Sequence, residues 1–105
     1  MKVSYNTTFV MPPQLEAEFL TFMREVYVPG VLAQGVLSKP EMRRIVSHEE
    51  DVDALSIALS FVAESHEELS DYLHTEGHVY PERLLRHFGE QVLGFTTMME
   101  HIDLL

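Results

Sequence analysis

The segment from residue 54 to residue 63, ALSIALSFVA, constrains the fold more than any other part of the sequence. Large and small side chains alternate along it: Leu55, Ile57, Leu59 and Phe61 are bulky, whereas Ala54, Ser56, Ala58 and Ser60 are small. This period of two predicts a β-strand. Because neither set is charged, both faces of the strand are expected to be covered, which is typical of a central strand.

Three more strands and two helices are predicted around this segment. Alternating apolar, aromatic and β-branched residues predict strands over residues 2–10, 41–49 and 91–101. Apolar side chains three and four residues apart predict a first helix over residues 13–27. A Ser-His-Glu-Glu capping box at residues 65–68 predicts the start of a second helix.

Proline and glycine set the expected limits of these elements. Pro29 is expected to bend or interrupt the first helix, because it lacks a backbone donor and clashes with the preceding turn. The alternative is an extension by one short turn over Val31, Leu32 and Ala33, with Gly35 as its end. Gly77 and Pro81 are expected to break the second helix and to leave a helical turn or two before the last strand. The acidic residues 49–53 predict a hairpin loop. In the last strand, Gly94 indicates a bulge or a close backbone approach.

The order strand, helix, strand, strand, helix, strand predicts one ferredoxin-like α+β domain over residues 1–105. In that fold both helices cover one face of a four-stranded antiparallel sheet. The other face is expected to carry small, uncharged side chains, namely Ser4, Asn6 and Thr8 beside Ser56, Ala58 and Ser60. A solvated face would carry Lys and Glu instead. We therefore expect a homodimer that packs through the sheet face, with Asn6, Ser56, Ala58 and Ser60 in the interface.

Composition excludes several classes of function. The chain has 17 acidic and 7 basic residues and a formal net charge of −10, which disfavours nucleic acid and anionic membranes as partners. It has no cysteine, which excludes disulfides, thiolate catalysis and Cys-ligated zinc. Apolar runs are only a few residues long and the first residues, MKVSYNTT, lack an apolar signal region. The expected location is the cytoplasm.

One pair of histidines has the spacing of metal ligands. His74 and His78 are four residues apart on the predicted second helix, and Asp71 lies one turn earlier. The string HTEGH is not the HExxH motif, and Gly77 weakens the helix at this point. Two solvated histidines are the preferred interpretation, so no metal and no cofactor are predicted.

A small apolar molecule is a second candidate partner, besides another copy of the chain. A small-molecule pocket needs an apolar lining with a few convergent polar groups. Tyr27, Asn6, His48 and Arg44 are the candidate ligand-binding residues. The alternative for Tyr27 is a ring packed at a helix end with its hydroxyl in water. Arg44 and the adjacent Arg43 are expected to point to opposite faces, one of them paired with an acid across the dimer.

Three stretches carry a further signal: residues 19–42 (FLTFMREVYVPGVLAQGVLSKPEM), residues 54–65 (ALSIALSFVAES) followed by DYL, and residues 86–102 (RHFGEQVLGFTTMMEHI). Together they resemble an uncharacterised bacterial family, the domain-of-unknown-function family 4286, over nearly the whole chain. The resemblance implies the dimeric α/β-barrel group of ferredoxin-like folds. Relatives often carry His where Tyr27 stands and Arg where Thr96 stands, so a site that uses those groups is altered or absent here.

Two functions remain open from the sequence. The first is a small homodimeric binding or structural module, because no catalytic signature occurs. The second is a cofactor-independent small-molecule enzyme, such as the monooxygenases and isomerases of the dimeric α/β-barrel group, with Tyr27, Asn6 and His48 as its first candidates. That analogy operates at the level of the fold alone. A deep apolar cleft that converges on a His or Tyr favours the enzyme, and a filled interior favours the module.

Overall fold

The computed structural model describes residues 1–46 and 53–105. The strands are β1 (Val3–Met11), β2 (Ser38–Arg44), β3 (Leu55–Ala63) and β4 (Leu93–Glu100). The helices are α1 (Glu16–Phe22), α2 (Val28–Ala33), α3 (His66–His74) and α4 (Val79–Phe88). A π-helical turn (Met23–Tyr27) joins α1 to α2, and short 3-10 turns precede α1 and follow α4. The predicted 49–53 loop and the end of the predicted 41–49 strand fall mostly outside the described residues.

The four strands form one sheet in the order β2-β3-β1-β4, and every neighbouring pair is antiparallel. This topology, with the helices packed on one side, is the ferredoxin-like fold that the sequence predicts. The predicted central strand is confirmed, because β3 lies between β2 and β1. Each helix in residues 1–46 and 53–105 is too short or too polar to cross a membrane.

The two faces of the sheet differ in the size of their side chains. One face, here called the helix face, carries the odd-numbered residues of β1 and β3, such as Phe9 opposite Ile57. Phe9 and Ile57 are both buried, and the Phe9 ring lies 5.3 Å from that of Phe19 in α1. The other face, here called the open face, carries these residues: Ser4, Asn6, Thr8, Val10, Ser56, Ala58, Ser60, Val62, Leu93, Phe95, Thr97 and Met99. The predicted alignment of small residues is confirmed by the pairing of Thr8 with Ala58.

The first helix is interrupted just before Pro29, as expected, and the alternative of a further short turn over Val31, Leu32 and Ala33 is confirmed. Helical backbone continues to Ala33, with Pro29 in the first turn of α2. The π-helical turn makes this possible, because the Val28 N–H donates to the Met23 carbonyl five residues earlier. Pro29 then stands where a missing N–H has little effect.

The second helix ends earlier than predicted. α3 stops at His74, where the Thr75 hydroxyl donates to the Asp71 carbonyl over 2.8 Å. The Gly77 N–H donates to the Tyr72 carbonyl over 2.7 Å and closes the turn. Pro81 does not break a helix, since it lies in the first turn of α4, where proline is tolerated.

Strand β2 also lies earlier in the chain than predicted. It begins at Ser38 and includes Pro40, and its register shifts between Ser38 and Glu41. Lys39 has a φ of 51°, in the left-handed region. Proline and an irregular register fit an edge strand, because an edge strand leaves one row of backbone donors unpaired.

Candidate functional site

A cleft of ≈ 360 Å³ lies between the helix face and α4. β1 contributes Tyr5, Thr7 and Phe9, α4 contributes Pro81, Leu84 and Leu85, and Tyr27, Val92, Leu93, Gly94 and Thr96 complete the lining. The cleft exists because the helices cover β1 and β3 but not β4, whose residues are exposed along the whole strand. A groove is therefore left between α4 and the edge of the sheet.

Gly94 keeps the β4 side of this cleft empty. It pairs with Phe9, so a side chain at this position would point to the helix face. A Cβ atom there would lie 3.4 Å from Thr7 Cγ2 and 3.5 Å from Phe9 Cε1, in ordinary contact distance. The register of β1 with β4 is unbroken around Gly94. Neither sequence-based alternative is therefore formed, because the register is regular and a Cβ atom would meet only side chains at ordinary distances.

Tyr27 lies at the inner end of the cleft. It is the last residue of the π-helical turn and is only 6% exposed, so its ring is packed as the alternative interpretation expected, although the helix continues beyond it as α2. Its ring makes edge contacts with Phe9 and Tyr80, each at a centroid distance of 6.1 Å. Tyr27 also lines a small inner cavity of ≈ 20 Å³, together with Tyr5 and Tyr72. Its hydroxyl forms no hydrogen bond with any residue in the described ranges.

Two side-chain hydrogen bonds connect the helices at the inner end of the site. The Tyr72 hydroxyl donates to Gln34 Oε1 over 2.6 Å, and Gln34 Nε2 donates to the Glu76 carbonyl over 3.2 Å. These bonds tie the end of α2 to α3. Beside them, the Tyr80 ring lies directly against Gly30, where a Cβ atom would come within 2.0 Å of Tyr80 Cζ. Gly30 is therefore needed for the position of Tyr80 against Tyr27.

The cleft is uncharged at neutral pH. Burial raises the pKa of Tyr27 well above the usual value, and the nearby phenols of Tyr5 and Tyr72 raise it further. Burial also raises the pKa of Tyr72 to about 12 and the pKa of Tyr5, although the Thr96 side chain offsets part of the rise at Tyr5. No Asp, Glu, His, Lys or Arg is among the described residues that line the cleft. Its polar groups are thus neutral hydroxyls.

The structure does not bring the predicted ligand-binding residues together. Asn6 lies on the open face, opposite Ser60, whereas Tyr27 lies on the helix-face side of the sheet. The Asn6 amide donates to Thr8 Oγ1 over 3.3 Å. Arg44 lies on β2, at the other edge of the sheet from the cleft, and His48 is outside the described residues.

The two adjacent arginines do point to opposite faces. Arg43 pairs with Ala58 of the open face, and Arg44 pairs with Ile57 of the helix face. Each forms an ion pair within the chain, Arg43 with Glu41 and Arg44 with Glu16. Both ion pairs are exposed, so each contributes about 0–1 kcal/mol. The expected pairing of one arginine with an acid across a dimer stays a prediction.

The paired histidines do not share a helix face. His74 ends α3 and His78 precedes α4, with a turn between them. The His74 Nδ1–H donates a hydrogen bond to the Ser70 carbonyl over 2.7 Å. Within residues 1–46 and 53–105, no three His, Asp or Glu side chains form a group that could hold a metal ion.

Ten of the eleven residues that line the cleft were not among the predicted site residues, and they include Tyr5, Thr7, Gly94 and Thr96. The signal for Tyr5 and Thr7 was available, because both share the face of Phe9 in the alternating pattern of β1. Gly94 was visible as a glycine inside a strand. Thr96 and Tyr27, the two positions that depart from the resembled family, both line the cleft.

Solved structures share this fold at low sequence identity. An EthD family protein from Bacillus halodurans matches with a TM-score of 0.73 and 18% identity, over 97% of this chain and 100% of that chain. SnoaB, a cofactor-independent oxygenase from Streptomyces nogalater, matches with a TM-score of 0.57 and 16% identity, over 99% and 96%. A dimeric ferredoxin-like protein from an uncultured marine organism matches with a TM-score of 0.59 and 12% identity, over 98% of both chains. At these identities the similarity shows the fold alone.

Sequence comparison adds a family. The family model of the domain of unknown function DUF4286 matches residues 2–102, which is nearly the whole chain. No curated protein matches the sequence significantly.

Proposed function

The chain belongs to the DUF4286 family, and we propose that it is a homodimeric protein that binds one small, mainly apolar molecule in each cleft. One observation carries the binding proposal. The Tyr27 hydroxyl has no hydrogen-bond partner among the described residues, and it remains accessible in an otherwise apolar cleft, because no side-chain N or O atom of those residues is both fully buried and unpaired. An accessible hydroxyl in an apolar cleft can bond to a ligand and fix its orientation.

The size and lining of the cleft fit this proposal. Small-molecule sites are concave, mostly apolar, and on the order of 300–1,000 Å³. The cleft has ≈ 360 Å³. Its walls are Phe9, Leu84, Leu85, Val92 and similar side chains, with few hydroxyls.

Binding is favoured over catalysis by the chemistry of the hydroxyls. A general base must have a pKa near the working pH. The raised pKa values of Tyr5 and Tyr27 keep both phenols protonated at pH 7. Thr7 and Thr96 supply hydroxyls that are not bases either.

The second candidate function is a cofactor-independent oxygenase. The cleft converges on a tyrosine, and the similar fold of SnoaB belongs to a protein of that description. An enzyme of this kind would convert a phenolic probe, for example 1-naphthol and O₂ into 1,4-naphthoquinone and water. A binding protein would release 1-naphthol unchanged after aerobic incubation, and mass spectrometry separates the two outcomes.

The homodimer is proposed to form through the open face. The helices leave this face uncovered, and along β4 it presents Leu93, Phe95 and Met99, which are 52%, 59% and 47% exposed in the single chain. An exposed apolar row of this kind is typical of an interaction surface. Small residues such as Ala58 and Ser60 allow a second sheet to approach closely. Dimeric proteins with this fold support the assembly.

A neutral fluorophore tests the binding proposal. N-phenyl-1-naphthylamine is apolar and brightens when it leaves water. We expect it to bind to the wild-type protein and to bind at least about tenfold more weakly to Gly94→Val, whose side chain fills the cleft. Thr97→Val is the matched control, because it places the same residue on the open face of the same strand. Equal binding by Gly94→Val and the wild type, with both proteins folded, would contradict the proposed site.

A further inference from the structure

We propose that the ligand of the cleft is a neutral aromatic carbonyl compound whose oxygen accepts a hydrogen bond from the Tyr27 hydroxyl. This inference rests on the proposed binding function and specifies its ligand class. It follows from the hydrogen-bond capacity of Tyr27, from the shape of the walls around it, and from the charges that the site lacks.

The hydrogen-bond capacity of Tyr27 favours an acceptor on the ligand. A neutral phenol carries one O–H donor and also accepts. The Tyr27 O–H has no acceptor among residues 1–46 and 53–105 and is accessible from the cleft, so a ligand there can accept its hydrogen bond. A carbonyl oxygen provides an acceptor without adding a donor that would need a partner of its own.

The walls favour an aromatic body. The Phe9 and Tyr27 rings meet edge to face at an interplanar angle of 86°, and Tyr5 lies on the same face as Phe9. Aromatic rings prefer offset-stacked or edge-to-face neighbours, so a ligand with a flat ring system is suited to the cleft. Leu84 and Leu85 of α4 supply an aliphatic surface on the other side.

The charges disfavour a carboxylate or phosphate as the recognition group. None of the described lining residues is cationic, and the chain as a whole has a formal charge of −10. An anion in this cleft would lose its hydration without gaining an ion pair, which is strongly unfavourable. Tyr27 and Tyr5 are neutral donors, which suits a neutral carbonyl.

Three naphthalenes test the inference, each measured by displacement of N-phenyl-1-naphthylamine. The probes are 2-acetylnaphthalene, 2-ethylnaphthalene and 2-naphthoate. We expect the wild-type protein to bind the acetyl compound about 3- to 10-fold more tightly than the ethyl compound, the range of one neutral hydrogen bond. The carboxylate is expected to bind most weakly.

Two variants assign the preference to one hydroxyl. Tyr27→Phe should bind the acetyl and ethyl compounds equally. Tyr80→Phe, which removes a hydroxyl outside the cleft lining, should keep the wild-type preference. Equal wild-type affinities for the acetyl and ethyl compounds, or a preference for the carboxylate, would overturn the inference while the binding function stands. If none of the three probes binds, the proposed function fails with it.

Discussion

The same two strands, β1 and β3, present opposite properties on the two faces of the sheet. On the helix face Phe9 and Ile57 are bulky and buried under helices. On the open face Thr8 and Ala58, one residue away from each, are small and only half-buried. Large side chains therefore mark the helix face, which packs within the chain, and small side chains mark the open face, which is proposed to pack against a second chain. The cleft lies beside β4, where the helices do not reach across the helix face.

The largest effect is expected from removing a bulky side chain on the helix face. Phe9→Ala takes away a ring that packs against Phe19 and Tyr27, and should lower the free energy of unfolding by about 3–5 kcal/mol. Thr8→Ala, on the adjacent open-face position, should cost less than about 1 kcal/mol. Urea unfolding of both variants measures the difference. Similar losses for the two would mean that the faces are not divided as described.

The next largest effect is expected on association. Ala58→Arg places a charge in the middle of the open face, which should weaken the dimer by at least about 100-fold without unfolding the chain. Ala17→Arg makes the same substitution on an exposed position of α1 and should leave the dimer intact. Sedimentation velocity across a concentration series gives the dimer dissociation constant of each variant. A wild-type chain that is monomeric at micromolar concentration would refute the proposed dimer.

The smallest effect is expected on the free energy of unfolding at alkaline pH. It arises from the buried tyrosines on the helix-face side of the sheet. The pKa of Tyr72 is raised to about 12, so the folded state holds its phenolic proton more tightly than the unfolded state. Stability should therefore fall as the pH rises from about 10 towards 12, because the unfolded chain loses its protons first. Phenolate absorbance can follow this, since the chain has 4 Tyr and no Trp. Native and unfolded protein with the same phenolate titration would contradict the buried tyrosines.

Much of the fold could be predicted from the sequence because it depends on side-chain alternation. The pattern of residues 54–63 identified the central strand, and the position of Phe9 identified the face of β1 that packs against helices. Side-chain periodicity did not reveal the π-helical turn, because Met23 and Tyr27 are four residues apart and would share the buried side of an α-helix as well. The sequence therefore offered the continuation to Ala33 but not the π-helical form of the interruption before it.

The cleft could be predicted only in part. Asn6 and Tyr5 are adjacent in one strand, so they lie on opposite faces, and parity alone places Tyr5 on the side of Phe9. The sequence does not predict the width of the gap between α4 and β4, because that gap is a property of tertiary packing. Gly94 was the only local sign that a side chain is missing at this point.

The most direct test of the account is a methyl NMR titration of the wild-type protein with 2-acetylnaphthalene. Leu84 and Val92 report on the cleft, whereas Ala58 and Thr8 report on the open face. The account predicts large, saturable shifts for the methyl groups of Leu84 and Val92 and little change for those of Ala58 and Thr8. Saturable shifts confined to Ala58 and Thr8 would place the ligand on the open face and contradict the account.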